Sequence, residues 1–269
     1  MRMYCITIYN DHYEKIKQLG YIPVGLGKDI NSQKFVSDNT GTNISDKNSY
    51  YGEYSFHYWI WKNEIKNLKD NEWIGFCQYR KFWSINNKNL KTENIIALKK
   101  NLIKNIPDRY NQFDTILGEP LFINQFKFSK FIKKNLLKVL GNPILLFDKN
   151  KRNIKFHFDL MHGKGNLDKA ISLLDKNDRS DFNDFVNKET SFNPHNMFIC
   201  KSKKFLNSYY ETIFPWLKRC ENEFGFNLEG YGLKRIYGFL AERFMSYWFK
   251  KYTNYSTLPI IFKDISDID

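Results

Sequence analysis

The chain has 269 residues, 42% hydrophobic and 17% aromatic, which is enough to bury a full core and excludes an intrinsically disordered segment. Its 42 Lys and Arg against 29 Asp and Glu leave a net charge of +13, which favours an anionic partner: nucleic acid, an acidic membrane surface or a phosphorylated substrate. Cys5, Cys77, Cys200 and Cys220 form no CxxC pair, which argues against zinc and for a reduced, cytosolic setting; no run reaches the ~20 apolar residues of a membrane span, and the first residues lack a signal-peptide core.

Met3–Asn10 reads as a buried first strand, rich in β-branched and aromatic residues. Tyr13–Gly20 reads as a short helix closed by Gly20, and Tyr21–Gly27 as a second strand. The Gly25/Gly27 pair suits a plain turn better than a phosphate cradle. Val36–Ser49 is a polar loop full of turn formers. Tyr51, Tyr54, Tyr58, Trp61 and Ile65 then recur at helical spacing, with Asn48 or Ser49 as the cap. Glu72–Arg80 ("EWIGFCQYR") is a third strand, and this β-α-β order argues for a parallel α/β core.

Asn86–Lys104 reads as an exposed lysine-rich helix and Phe113–Pro120 as another strand. Phe126–Gly141 has the pattern of a cationic amphipathic helix, and Gly165–Asn177 that of a further helix. His195–Lys201 is expected to be a strand, with helices over Ser202–Phe224 and Lys234–Tyr252. Asp181–Asp184 and the closing "DISDID" imitate metal ligands but read as solvated acids, the second on a tail. No internal repeat and no clean linker interrupts the chain.

No GxGxxG, P-loop, HExxH or GxSxG is present. Two stretches remain chemically suggestive. The Ser37–Asn63 loop delivers short polar side chains able to hydrogen-bond a ribose, a base or a sugar, and leads into a helix N-terminus that favours anions. The strand "WIGFCQYRKFW" ends in adjacent cations, Arg80 and Lys81, which either cover a surface turn or form fixed positive charge at a site.

Several blocks in order along the chain carry a resemblance: "GTNISDKN", "YGE", "WKN", "CQYRKFW", "HNMFICKSKKF" and "YGFLAERFMSYW". In these the chain resembles the DUF4422 family of bacterial capsular and exopolysaccharide glycosyltransferases. The resemblance implies a GT-A-like α/β fold: a Rossmann-type, mostly parallel sheet flanked by helices, with a helical C-terminal part. It also implies one glycosyltransferase domain over 1–269, with a nucleotide-sugar half (1–120) and an acceptor half (121–269). The implied reaction moves a sugar, with inversion, from a nucleotide sugar (a UDP-sugar by preference) to a glycan or lipid-linked acceptor, with no nucleic acid involved. The setting would be cytoplasmic, with peripheral contact at the inner face of the membrane through the Lys127–Lys138 cations.

Under that resemblance, donor binding falls to Thr7, Tyr9, Asn43, Asn48, Glu53, Gln78, Tyr79, Arg80 and Lys81, and acceptor binding to His195, Asn196 and Arg243. Metal-dependent GT-A enzymes usually end this strand in Asp-x-Asp; here the cations are expected to steady the departing diphosphate, with Arg80 a catalytic group and no metal ligand assigned. A divalent metal (Mn or Mg) remains conceivable, although no clear DxD supports one. Relatives carry His where this chain has Gln78, which can hydrogen-bond a sugar but cannot take a proton. Base candidates are Glu242, Asp114 and Glu119, with Glu242–Arg243 or Glu242–Arg80 ion pairing as the structural alternative. His162 is expected to be an ordinary hydrogen-bonded residue. Two other readings compete: a basic nucleic-acid-binding module, and a glycan-binding member of the family without turnover.

Overall fold

In β1 (Arg2–Thr7), Tyr4 and Ile6 enter one hydrophobic cluster while Met3 and Cys5 enter another. Side chains alternate faces along a strand, so such a pattern requires a sheet covered on both sides. The computed structural model describes residues 1–31, 33–85, 94–125 and 152–268, and it has that architecture. The other strands are β2 (Ile22–Gly25), β3 (Val36–Ser37), β4 (Ile74–Gln78), β5 (Lys81–Trp83), β6 (Thr115–Gly118), β7 (Leu121–Phe122), β8 (Ser191–Phe192), β9 (Phe198–Cys200), β10 (Tyr255–Leu258) and β11 (Ile260–Phe262). The main sheet runs β10-β6-β9-β4-β1-β2-β3, parallel along this path except at β9; β5 adds antiparallel to β4 and β11 antiparallel to β5, and β7 and β8 form a separate small pair.

The helices are α1 (His12–Leu19), α2 (Asn48–Tyr51), α3 (Tyr54–Trp59), α4 (Ile95–Asn101), α5 (Ile154–His162), α6 (Asn166–Ser172), α7 (Lys176–Lys188), α8 (Lys203–Phe224), α9 (Tyr231–Lys234) and α10 (Ile236–Tyr252). On one face, α1 and α4 close over Met3, Cys5 and Cys77 through Ile16, Leu19, Ile95 and Leu98. On the other, α3, α8 and α10 bury Phe56, Tyr209 and Phe249 against Tyr4, Phe76 and Phe198. The four cysteines are free and buried. Among the described residues no helix is long and apolar enough to cross a membrane.

The expected strands at β1, β2, β4, β6 and β9 form, as do α1, α8 and α10, and Gly20 closes α1 in the left-handed region (φ 85°). Four readings need correction. The aromatic stretch is not one helix: α2 stops at Gly52, α3 follows, and a π-turn (Ile60–Glu64) and a 3-10 turn (Ile65–Asn67) finish it. Asn48 does not cap that stretch; its Nδ2 donates to the Gly52 carbonyl (3.0 Å) and to Ser55 Oγ (2.9 Å), bridging the break. Within Asn86–Lys104 the helix covers Ile95–Asn101, residues 86–93 lying outside the described part. The C-terminal segment is not a free tail, although Asp267 is exposed as expected: Ile265 and Ile268 are buried, and Lys15 Nζ donates to both of their carbonyls. The cationic Phe126–Gly141 segment also lies outside the described residues.

Candidate active site

Parallel α/β sheets offer a crevice beyond the carboxyl ends of their strands, at the point where the chain switches direction across the sheet. From β1 the chain goes to β2 on one side and to β4 on the other, so the switch lies between β1 and β4. A cleft opens there as two adjoining subsites. The inner one, about 170 Å³, is lined by Thr7, Asn48, Gly52 and Tyr79 among others. The outer one, about 160 Å³, is lined by Lys81, His195, Asn196 and Glu242 among others. Glu53, Gln78, Arg80 and Arg235 belong to both.

The β4–β5 turn aims the cations. Tyr79 donates its backbone N–H to the Ile6 carbonyl (3.0 Å), while the Tyr79 and Arg80 carbonyls accept from Ile265 (3.1 Å) and Lys263 (3.1 Å). The turn is thereby clamped between β1 and the C-terminal segment. Arg80 lies over the Tyr79 ring at 4.8 Å, a favourable cation–π placement that leaves its N–H groups to the cleft, and no ion pair among the described residues engages it. Lys81 is half-buried; its Nζ donates to Gln78 Oε1 (3.1 Å). Burial pulls its ammonium below the ordinary lysine value, with Arg80 and Arg235 adding to the effect and Glu53 and Glu242 opposing it.

Gln78 spends both ends of its amide on organisation, since its Nε2 also donates to the His195 carbonyl (2.8 Å). That bond and Glu242 Oε1, which accepts from the His195 N–H (2.6 Å), hold His195 and Asn196 in left-handed conformations (φ 81° and 53°). Two consecutive non-glycine residues in this region are costly and are held only where their surroundings dictate it. The His195 ring is desolvated and faces Lys81, which drives its pKa down to about 3, so it stands as a neutral imidazole at neutral pH. His162, by contrast, is buried away from the cleft and donates to the Gly232 carbonyl (3.0 Å).

Arg235 is the functional residue that sequence reasoning missed. It sits between α9 and α10 with its guanidinium 3.7 Å from Glu53. Gly52 makes room for it: at φ 58° and ψ −133° the backbone suits glycine, and an added Cβ would lie 2.3 Å from Arg235 Nη2. Gly52→Ala is therefore expected to cost about 1–3 kcal/mol and to displace Arg235 from Glu53. Thermal melting reads the first effect; the Arg235–Glu53 separation in a crystal structure of the variant, larger than 3.7 Å, reads the second.

The structure thus gathers Thr7, Asn48, Glu53, Gln78, Tyr79, Arg80, Lys81, His195, Asn196 and Glu242 at one cleft. Other candidates stand elsewhere. Tyr9 is half-exposed at the rim, edge-on to Tyr79 at 5.5 Å. Asn43 shapes its own turn, donating to the Gly41 carbonyl and accepting from Ser45. Asp114 precedes β6 and accepts from the Asn254 N–H (2.9 Å). The register places Thr115 opposite Cys200 and Cys200 opposite Ile74, so Asp114 is at the far edge of the sheet, about 16 Å of strand from the level of Gln78. Glu119 is exposed beyond β6. Arg243 is not an acceptor contact: it is buried behind the cleft wall, paired with Glu242 Oε2 and packed over Phe192 at 4.3 Å.

The strand end does not suit a divalent cation. It presents Gln78, Arg80 and Lys81, and the carboxylates nearby are engaged, Glu53 with Arg235 and Glu242 with Arg243 and the His195 N–H. Fixed cations of this kind suit a diphosphate instead.

The sequence profile of the family described as "Domain of unknown function (DUF4422)" matches residues 4–254. The chain belongs to this family. No curated protein matches this DUF4422 chain. Among solved structures it is similar to one described as the WbbM bifunctional glycosyltransferase, apo, with a TM-score of 0.62 and 20% identity over 98% of the chain. The chain spans 45% of that structure's length. At this identity the likeness speaks to the fold, and the GT-A-like α/β architecture stands.

Proposed function

We propose that this DUF4422 chain is a glycosyltransferase. It takes a nucleotide sugar, a UDP-sugar by preference, in the inner subsite and a glycan or lipid-linked acceptor in the outer one. The observation that carries this reading is the convergence of Arg80, Lys81 and Arg235 at the strand ends, next to a subsite lined by Glu242.

Bond breaking between the anomeric carbon and the diphosphate oxygen leaves negative charge on the leaving group. Preorganised cations facing that charge lower the energy of this state. Arg80 and Arg235 hold the diphosphate from either subsite, and Lys81 adds a compact charge from the floor. In an inverting displacement the acceptor oxygen attacks the anomeric carbon as the diphosphate leaves, and its proton passes to Glu242, which lines the outer subsite and no part of the inner one. Neutral His195 and Asn196 hydrogen-bond acceptor hydroxyls. The biosynthetic setting is a bacterial surface polysaccharide, with the protein at the inner face of the plasma membrane.

Thermal denaturation with and without UDP tests the donor assignment. At a hundredfold excess over Kd, binding adds about 2.7 kcal/mol of stability. A raised Tm is expected, with turnover of UDP-glucose or UDP-galactose that persists in EDTA. A strict Mn or Mg requirement overturns the cation assignment. No response to UDP, together with salt-sensitive binding of single-stranded oligonucleotides, overturns the enzyme reading in favour of a nucleic-acid module.

A further inference from the structure

The outer subsite is polar on its floor and aromatic at its mouth. Tyr231, 69% exposed, begins α9 and lines the subsite. Phe262, 65% exposed, lies on β11 directly opposite Lys81 of β5. Directly opposed residues of an antiparallel pair project to the same face, so Phe262 stands on the side from which Lys81 enters the cleft. Its ring meets the His195 ring edge-on at 5.2 Å. Tyr231 meets Phe239, another lining residue, at 5.9 Å.

A single exposed aromatic side chain needs no explanation, but two large ones from separate elements bordering one cleft form a surface with a use. The Tyr231 ring is also held in place, because its hydroxyl accepts from Arg235 Nη1 (3.2 Å). A ring fixed before binding loses little conformational freedom when covered.

A pyranose has hydroxyls around its edge and a face of C–H groups. The floor, with His195, Asn196 and Glu242, offers partners for the edge; Tyr231 and Phe262 offer flat apolar cover for the face. A single sugar held on the floor leaves both rings bare, and the next sugar along the chain covers them. Accepting the donor and acceptor assignment proposed above, we infer that the acceptor is a glycan of at least two sugar residues, with its terminal residue on the polar floor and its penultimate residue stacked on Tyr231 and Phe262. The protein extends an existing chain rather than glycosylating a lone sugar on its carrier.

The test uses methyl glycosides of glucose, galactose and N-acetylglucosamine, each as mono-, di- and trisaccharide, titrated calorimetrically and followed by saturation-transfer NMR. Affinity is expected to rise about tenfold from mono- to disaccharide in at least one series, the value of covering roughly one apolar ring face. Saturation should reach the C–H protons of the second sugar. Tyr231→Ala and Phe262→Ala each remove most of that gain, whereas Tyr231→Phe, which keeps the ring and loses the bond to Arg235, retains it. Affinity that is flat with chain length, a gain that survives both alanine substitutions, or no binding by any oligosaccharide overturns the inference. UDP binding on the same samples reports the donor assignment separately: oligosaccharide binding with the expected pattern but no UDP binding sinks that assignment and leaves the aromatic platform standing.

Discussion

Arg80→Ala lowers sugar transfer by about 10²–10³-fold, the usual cost of losing one preorganised group facing developing charge, and leaves the melting temperature essentially unchanged. The two halves of this expectation come from the same geometry. Arg80 is exposed, contributes nothing to either hydrophobic cluster, and has no carboxylate partner among the described residues that would be orphaned by its removal. Its main contact is the face of Tyr79, which stays anchored through its backbone. The loss should appear in kcat as well as in donor KM, because the charge that Arg80 meets grows as the diphosphate departs. Wild-type transfer by the variant would remove the diphosphate assignment. Arg235→Ala should give a comparable loss. The double variant should lose less than the product of the two, since both act on one leaving group.

Glu242→Ala is expected to destabilise the protein by about 3–5 kcal/mol, the cost of leaving a buried charge without its partner. The orphan is Arg243, fully buried among Phe192, Phe158 and Phe239. Among the described residues its guanidinium reaches, besides Glu242, only the Phe239 carbonyl (3.3 Å) and His157 Nδ1 (3.2 Å), and its Nε meets no partner there. Burial already pulls its pKa below the ordinary arginine value, with Glu242 opposing. For a chain of this size the change lowers Tm by roughly 10 °C. Glu242→Ala with Arg243→Met should recover most of it, because an apolar residue of similar length restores packing without a charge to solvate. A Glu242→Ala protein that melts like the parent would show that Arg243 is not held by this pair. Glu242→Gln keeps an oxygen for the His195 N–H, so its loss of transfer reports the proton-accepting role apart from the brace.

The position of the cleft was legible in the sequence because strand β4 states it twice. Its alternation of Ile74, Phe76 and Cys77 marks a strand buried on both faces, and its abrupt end in Arg80 and Lys81 marks the edge where polar chemistry starts. Asp114 misled because a strand's sequence does not tell which edge of the sheet its first residue meets; that depends on pairing through β9. Arg243 misled for a geometric reason. Consecutive helical residues are about 100° apart, so Glu242 can line the cleft while Arg243 points into the aromatic core, and "AERF" does not say which does which. Arg235 was passed over because a cation at a helix start looks solvated until Glu53 and Gly52, from the other end of the chain, are seen around it. The short β10 and β11, on either side of Pro259, carry too few residues to announce themselves before their partners are known.

The stitching of the β4–β5 turn by β11 and the residues after it ties the cation-bearing corner to some of the last amino acids described. Sheet, helices and most of the apolar interior can assemble from earlier segments, but Tyr79 and Arg80 find their final carbonyl partners only when Lys263 and Ile265 arrive. Closing so distant a contact is slow compared with forming local structure. The cleft corner is therefore complete only once these residues have docked. Fraying at this seam would loosen the cation-bearing corner while leaving a body that still looks native by its helical content.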